Sequence, residues 1–165
     1  MIKIIFSFVL ILSSALIGNS FSQKLINRRK TLTSLVGAIS RIKTLICFGG
    51  EDISLIIKKC LCTEDFPLMN ASVFDEYKEF DKSFLKGVKS INTKFSLTNS
   101  DKELLMQFGS LLGTTDIQGQ IAHTELYSCL FTEKLNKVKE QESSKTNLYR
   151  VLGFSLGCVI SLLIV

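Results

Sequence analysis

Residues 116–165 read DIQGQIAHTELYSCLFTEKLNKVKEQESSKTNLYRVLGFSLGCVISLLIV, fifty residues without a proline. Their first part has the period of a soluble helix and their last part the composition of a membrane segment. Ile117, Ile121, Thr124, Ser128, Phe131, Leu135 and Val138 step by 4, 3, 4, 3, 4, 3, an a/d seam that packs against other helices at a shallow angle. Leu126, Cys129 and Leu130 lie on another side, so the spacing predicts cover from two directions. Lys139–Asn147 is polar and reads as a solvated connector. Leu148–Val165 is apolar except for Arg150, whose long side chain can reach an interface. At about 1.5 Å per residue it spans roughly 27 Å, marginally enough for a bilayer.

A second apolar run lies at the other end. Ile4–Phe21 is broken only by small or polar residues. Two readings compete for it. Lys3, the apolar stretch and Ser20-Phe21-Ser22 fit a cleaved signal peptide. Lys24, Arg28, Arg29 and Lys30 follow the run with no acid among them, which keeps that side in the cytoplasm and favours an uncleaved anchor. The net charge of +5 is partitioned accordingly. Residues 1–30 carry +5, residues 31–133 carry −3 and residues 134–165 carry +3. Basic residues therefore sit beside the apolar ends, as juxtamembrane anchoring against anionic lipid requires. A nucleic-acid-binding face would gather them on the folded domain, so no nucleic-acid partner is expected.

Between the ends the pattern is helical throughout. Leu32, Leu35, Val36, Ile39, Ile42 and Ile46 share one arc, closed by Gly49-Gly50. Glu51 and Asp52 suit the first turn of a helix over 51–61 with Ile53, Ile56, Ile57 and Cys60 inward. Pro67 suits the first position of a third helix, with Val73, Phe74, Tyr77 and Phe80 on its face. Phe84, Val88, Ile91 and Phe95 continue the spacing, so 67–95 is either one bent helix or two with a break near Asp81–Ser83. Ser100 with Glu103 is read as a capping box for a helix bearing Leu104, Leu105, Phe108, Leu111 and Leu112, stopped at Gly113. The expected architecture is all-α: a bundle of about six helices between an N-terminal and a C-terminal transmembrane segment. The domains would be 1–22 as anchor, 23–147 as a cytoplasmic helical bundle and 148–165 as the second membrane segment.

No residue pattern announces a reaction. His123 is the only histidine, and Glu125, two residues away, falls on another helix face. Glu64 with Asp65, or Asp75, Glu76, Glu79 and Asp81, could meet a cation, but Lys78 and Lys82 interleave as solvated pairs. Cys47, Cys60, Cys62, Cys129 and Cys158 have no zinc spacing and read as reduced thiols. Phosphate-loop, dinucleotide and nucleophile-elbow motifs are missing. No catalytic, cofactor-binding or metal-binding residues are expected, and the chain is not expected to be an enzyme.

Leu104–Asp116, LLMQFGSLLGTTD, followed by a long helix and then Asn147–Val165, NLYRVLGFSLGCVISLLIV, resembles the stage III sporulation protein AB family of endospore formers. Phe108, Gly109, Gly113 and Asp116 fall on the family's Phe-Gly-x-x-Leu-Gly-x-x-Asp turn, with Leu111 and Leu112 both offering its leucine. Tyr149, Arg150, Leu152 and Gly153 fall on its tail entry. The family's glycine break between the third and fourth helices has no counterpart at Asp81–Ser83. The resemblance implies a bundle similar to the cytoplasmic domain of the type II secretion F protein. It also implies a non-enzymatic scaffold in a secretion-like channel complex joining mother cell and forespore. Implied partners are membrane lipid, other stage III sporulation channel proteins and a secretion-type ATPase, stage III sporulation protein AA. The implied location is the mother-cell side of the outer forespore membrane, with the soluble domain in the cytoplasm. The rival reading is an exported helical binding protein with a cleaved signal and a C-terminal anchor.

Overall fold

The computed structural model describes residues 2–48, 50–76 and 79–164. Gly49, Tyr77, Lys78 and Val165, which enter the readings above, lie outside the described residues, as do the side chains of Asp75, Glu76 and Arg150. The elements are α1 (Ile2–Phe48), α2 (Ile53–Leu61), α3 (Val73–Glu76), α4 (Phe80–Lys89), a 3-10 turn (Thr93–Phe95), α5 (Asn99–Ser110) and α6 (Ile117–Ile164). The protein is all-α. Five of the helices exceed one turn, α3 being a single turn of four residues. Among the described residues the only β pairing is one isolated bridge between Cys62 and Pro67.

Two compact units share the long helices. One comprises Lys30–Leu135 and the other Met1–Arg29 with Asn136–Val165. In the first, Leu32, Leu35, Ile39, Ile42 and Ile46 of α1 are buried, as the helical period requires. They share a core with Ile56, Ile57, Cys60 and Leu61 of α2, Phe84 and Val88 of α4, Leu105 and Phe108 of α5, and Phe131 and Leu135 of α6. α4 packs against both α3 and α5.

Several boundaries differ from the sequence reading. Asp52 is the N-cap of α2, its carboxylate accepting from the Ser54 amide, so the acids precede the helix. Pro67 starts no helix. Met69 N–H donates to Leu61 O at 3.1 Å, and the buried Leu68 and Met69 draw the strap 62–72 across the core. The 67–95 segment is broken before Phe80, where Glu79 is extended, and α4 ends at Lys89. Periodicity overran that end because Ile91 is buried from a non-helical backbone. The capping box of α5 is Thr98 with Asp101, two residues before the expected pair. Asp101 is preferred because it also meets Lys134 Nζ at 3.3 Å across the bundle, a contact no local rule contains. α6 runs helically through 139–147. Its inward seam is Gln120, Thr124, Tyr127, Phe131, Leu135 and Val138, while Ile117 is 61% exposed and Leu126 and Cys129 are uncovered.

The second unit has the opposite radial pattern. Gly18 and Ser22 of α1 and Gly153 and Gly157 of α6 are buried. Large apolar residues are turned outward, among them Leu16 (66% exposed), Ile17, Val151, Phe154 (56%), Leu156 and Val159. A Cβ on Gly18 would lie 2.6 Å from Tyr149 O and 3.1 Å from Gly153 Cα, so the backbones touch. Ser14 Oγ donates to Gly153 O at 2.5 Å, and the Phe21 and Tyr149 rings lie 6.0 Å apart. Arg29 Nε meets Glu142 Oε2 at 2.5 Å beyond the apolar zone. Among the described residues, one segment is long and apolar enough to cross a membrane, Leu12–Phe48 within α1, with mean hydropathy 1.3 and a third of its most apolar window buried.

Candidate docking surfaces

The turn Phe108–Asp116 is built residue by residue around close contact. Phe108 is fully buried; its ring stacks on His123 at 5.6 Å and meets Phe84 and Tyr127. Gly109 lies under the Phe84 ring, where a Cβ would come within 2.1 Å of Cδ1. No side chain larger than hydrogen fits without moving a buried aromatic ring. Leu112 is 2% exposed and Leu111 51%, so Leu112 is the turn's core leucine. Gly113 has φ +80, a conformation that a Cβ strains. Asp116 then caps α6, its Oδ1 accepting from Gly119 N at 3.0 Å.

His123 is placed by this turn. Its Nε2 lies 2.8 Å from Phe108 O, and a carbonyl only accepts, so Nε2 carries the proton. Tyr127 flanks it at 4.7 Å between ring centroids. Glu125 points elsewhere and pairs with Lys43. The ring thus serves as an aromatic strut between α5 and α6. Glu79 and Lys82 form the expected solvated i,i+3 pair at 2.9 Å. Burial raises the Cys60 thiol pKa, opposed by Arg41 and Lys59, and pushes Cys62 up to about 11, opposed by Lys58. All five cysteines are free thiols. No group of three or more metal-ligating side chains occurs among the described residues.

Among the described residues, three surface depressions of the Lys30–Leu135 unit are places where another molecule could sit. A cavity of about 590 Å³ lies between the 62–72 strap and the segment around the 3-10 turn, with Cys62, Met69, Asn92 and Phe95 in its wall. A second, of about 550 Å³, runs between α1 and α6, with Ser40, Thr44, Thr124, Ser128 and Thr132 in its wall. Their hydroxyls are largely committed to their own helices: Ser40 donates to Val36 O, Thr44 to Ser40 O and Thr132 to Ser128 O. The third, of about 330 Å³, lies where the ends of α1 and α2 meet the α5–α6 turn. Gln120, one of its polar members with Glu51 and Thr115, lies outside the sequence reading because that seam runs through Ile117. Shifting the seam to Gln120, Thr124, Tyr127 and Phe131 keeps the same 4, 3, 4 spacing.

The described residues form an all-helical protein, and the apolar segment Leu12–Phe48 of its first helix is long enough to cross a membrane. The chain belongs to the stage III sporulation protein AB family, whose model matches residues 3–165. It is thus a stage III sporulation protein. No curated protein and no solved structure is detectably similar to it.

Proposed function

We propose that this protein is a non-enzymatic, membrane-anchored scaffold of a sporulation-specific secretion-like channel complex between mother cell and forespore. Both helices of the small-residue pair, residues 1–22 and 148–165, cross the membrane, and 23–147 form the cytoplasmic docking domain. The observation that carries this reading is the inverted radial pattern of that pair. Glycine and serine lie inside while Leu16, Ile17, Phe154 and Leu156 face outward. In water such a pair exposes its apolar surface at a cost; in lipid, small residues allow the close approach that holds helices together. The basic residues beside both apolar segments support a cytoplasmic location for the domain, on the mother-cell side of the outer forespore membrane.

In this role the domain docks a cytoplasmic secretion-type ATPase, stage III sporulation protein AA, and contacts other stage III channel proteins. It uses no cofactor and no nucleic acid. The topology is tested with Asn99→Cys, at an exposed position, in a cysteine-free background of the full chain. Protection from a membrane-impermeant maleimide in intact cells is the expected result; labelling from outside overturns the cytoplasmic placement. Retention of Met1 in the mature chain, read by mass spectrometry, is expected as well, and a start at Gln23 would favour the exported alternative. Docking is tested by titrating the purified ATPase against the full chain in detergent, where saturable binding is expected.

A further inference from the structure

Phe21 of α1 and Tyr149 of α6 stand at one level of the helix pair, with ring centroids 6.0 Å apart. Their contact brings two strips of side chains into register. One turn from Phe21 toward the N-terminus lies Ile17, and one and two turns beyond Tyr149 lie Leu152 and Leu156. All three are exposed apolar residues. In the opposite direction, one turn from each ring, lie Lys24 and Lys145, both exposed. Lys24 Nζ is 5.4 Å from the centre of the Phe21 ring, close enough for the ring face to attract the ammonium. Along both helices the order is thus apolar, aromatic, basic.

No negative charge interrupts this order. Residues 1–50 and 143–165 contain no acid. The first carboxylate met along α6 from Tyr149 toward the domain is Glu142, two turns away and paired with Arg29. Neither Lys24 nor Lys145 meets a carboxylate among the described residues. We propose that this strip holds an anionic phospholipid of the surrounding membrane. Its acyl chains lie along Ile17, Leu152 and Leu156, its glycerol region lies at the Phe21–Tyr149 pair, and its phosphate meets Lys24 and Lys145. The inference rests on the reading of both helices as membrane spans and names the lipid class that they select. Two ammonium groups favour a headgroup of purely negative charge, such as phosphatidylglycerol, over a zwitterion whose own cation they repel. Aromatic rings at headgroup level set the depth. Free phosphate shares the lysine chemistry but has nothing to lay along the apolar residues.

The chain contains no tryptophan, so Leu152→Trp places a single reporter on the strip. Leu16→Trp places one elsewhere, about 140° round α1 from Phe21. The full chain with either reporter is reconstituted in vesicles of phosphatidylcholine and phosphatidylglycerol, one lipid or the other carrying brominated acyl chains. Fluorescence quenching then reads the relative affinity of the two lipids beside the tryptophan. At Leu152→Trp, phosphatidylglycerol is expected to be preferred about tenfold at low salt, and by less as salt is added. Lys24→Gln with Lys145→Gln should bring the preference within about twofold, while Lys→Arg at both positions keeps it. Lys139→Gln removes the same charge about 15 Å from Tyr149 along α6 and should leave it unchanged. A preference below about twofold at Leu152→Trp, an equal preference at Leu16→Trp, or one that survives the double Gln variant overturns the proposal. So does its loss when sodium phosphate replaces sodium chloride at equal ionic strength, which would make free phosphate the occupant. The same measurement separates this inference from the reading beneath it. Quenching by both lipids without preference leaves the two spans standing and removes the lipid site alone. Quenching by neither lipid at Leu152→Trp overturns the second span and the lipid site together.

Discussion

The Lys30–Leu135 core and the helix pair of the other unit solve the same problem, burying a helix face, with opposite side-chain sizes. In the core, Phe84, Phe108 and Phe131 are fully buried among leucines and isoleucines. In the pair, Gly18, Gly153 and Gly157 are inside and the large apolar residues are outside. Water explains the first arrangement, since each large apolar side chain gains by leaving it. It does not explain the second, in which burial was given to residues with almost no apolar surface. On the proposal that residues 1–22 and 148–165 cross the membrane, the regions differ in the solvent each is matched to, and mutations should separate them cleanly.

The largest expected effect is truncation of a core aromatic. Phe131→Ala should destabilise the full chain by about 3–5 kcal/mol in a denaturant titration in detergent, through lost burial and an unfilled cavity. Next is Gly109→Ala, which presses a methyl group onto the Phe84 ring. A loss of about 1–3 kcal/mol is expected, and an unchanged melting curve would show the ring to be more yielding than its burial implies. Lys134→Met should cost about 1–2 kcal/mol, because it removes the ammonium group 3.3 Å from the fully buried Asp101 carboxylate while the Thr98 cap remains.

The helix pair answers to size in the other direction. Gly18→Leu should drive the two backbones toward the ordinary interaxial separation of about 8–10 Å. Spin labels at the exposed Ile17 and Leu152 would report an outward shift, and an unmoved distance would break the close-contact description. Leu16→Ala or Phe154→Ala, by contrast, should change stability in detergent by no more than about 0.5 kcal/mol. A core-sized loss there would mean that these side chains are packed after all, and the contrast between the two regions would collapse.

The thiols offer a probe that reads burial without mutation. The thiolate is the reacting form, and burial raises Cys62 to about 11, so at pH 8 only about a thousandth of it is ionised. Exposed Cys129 should therefore be alkylated at least about tenfold faster than Cys62. Raising the pH toward 11 should narrow the gap, because deprotonation of Cys62 grows with pH.

Local pattern made much of this legible in advance. The buried face of α1, the inward stripe of α2 and the all-α class follow from 3.6-residue periodicity, which each helix carries by itself. The turn Phe108–Asp116 was recognisable as a string, but its reason lies in residues distant in sequence. Phe84 forbids a side chain at Gly109, and packing selects Leu112 over Leu111. The same holds for the cap of α5. Ser100 with Glu103 and Thr98 with Asp101 satisfy local chemistry alike, and the cross-bundle contact of Asp101 with Lys134 separates them.

By itself the sequence determined the all-α class, where basic residues accumulate beside apolar runs, and which family the turn and tail strings resemble. These properties depend on neighbours within a few turns of one chain. Only the tertiary structure decided that α6 turns Gln120 rather than Ile117 into the core, leaving an acceptor without a donor. It alone showed that Gly153 lies against Gly18. Both are contacts between surfaces far apart in sequence. Their energy depends on what stands opposite, which no local period encodes.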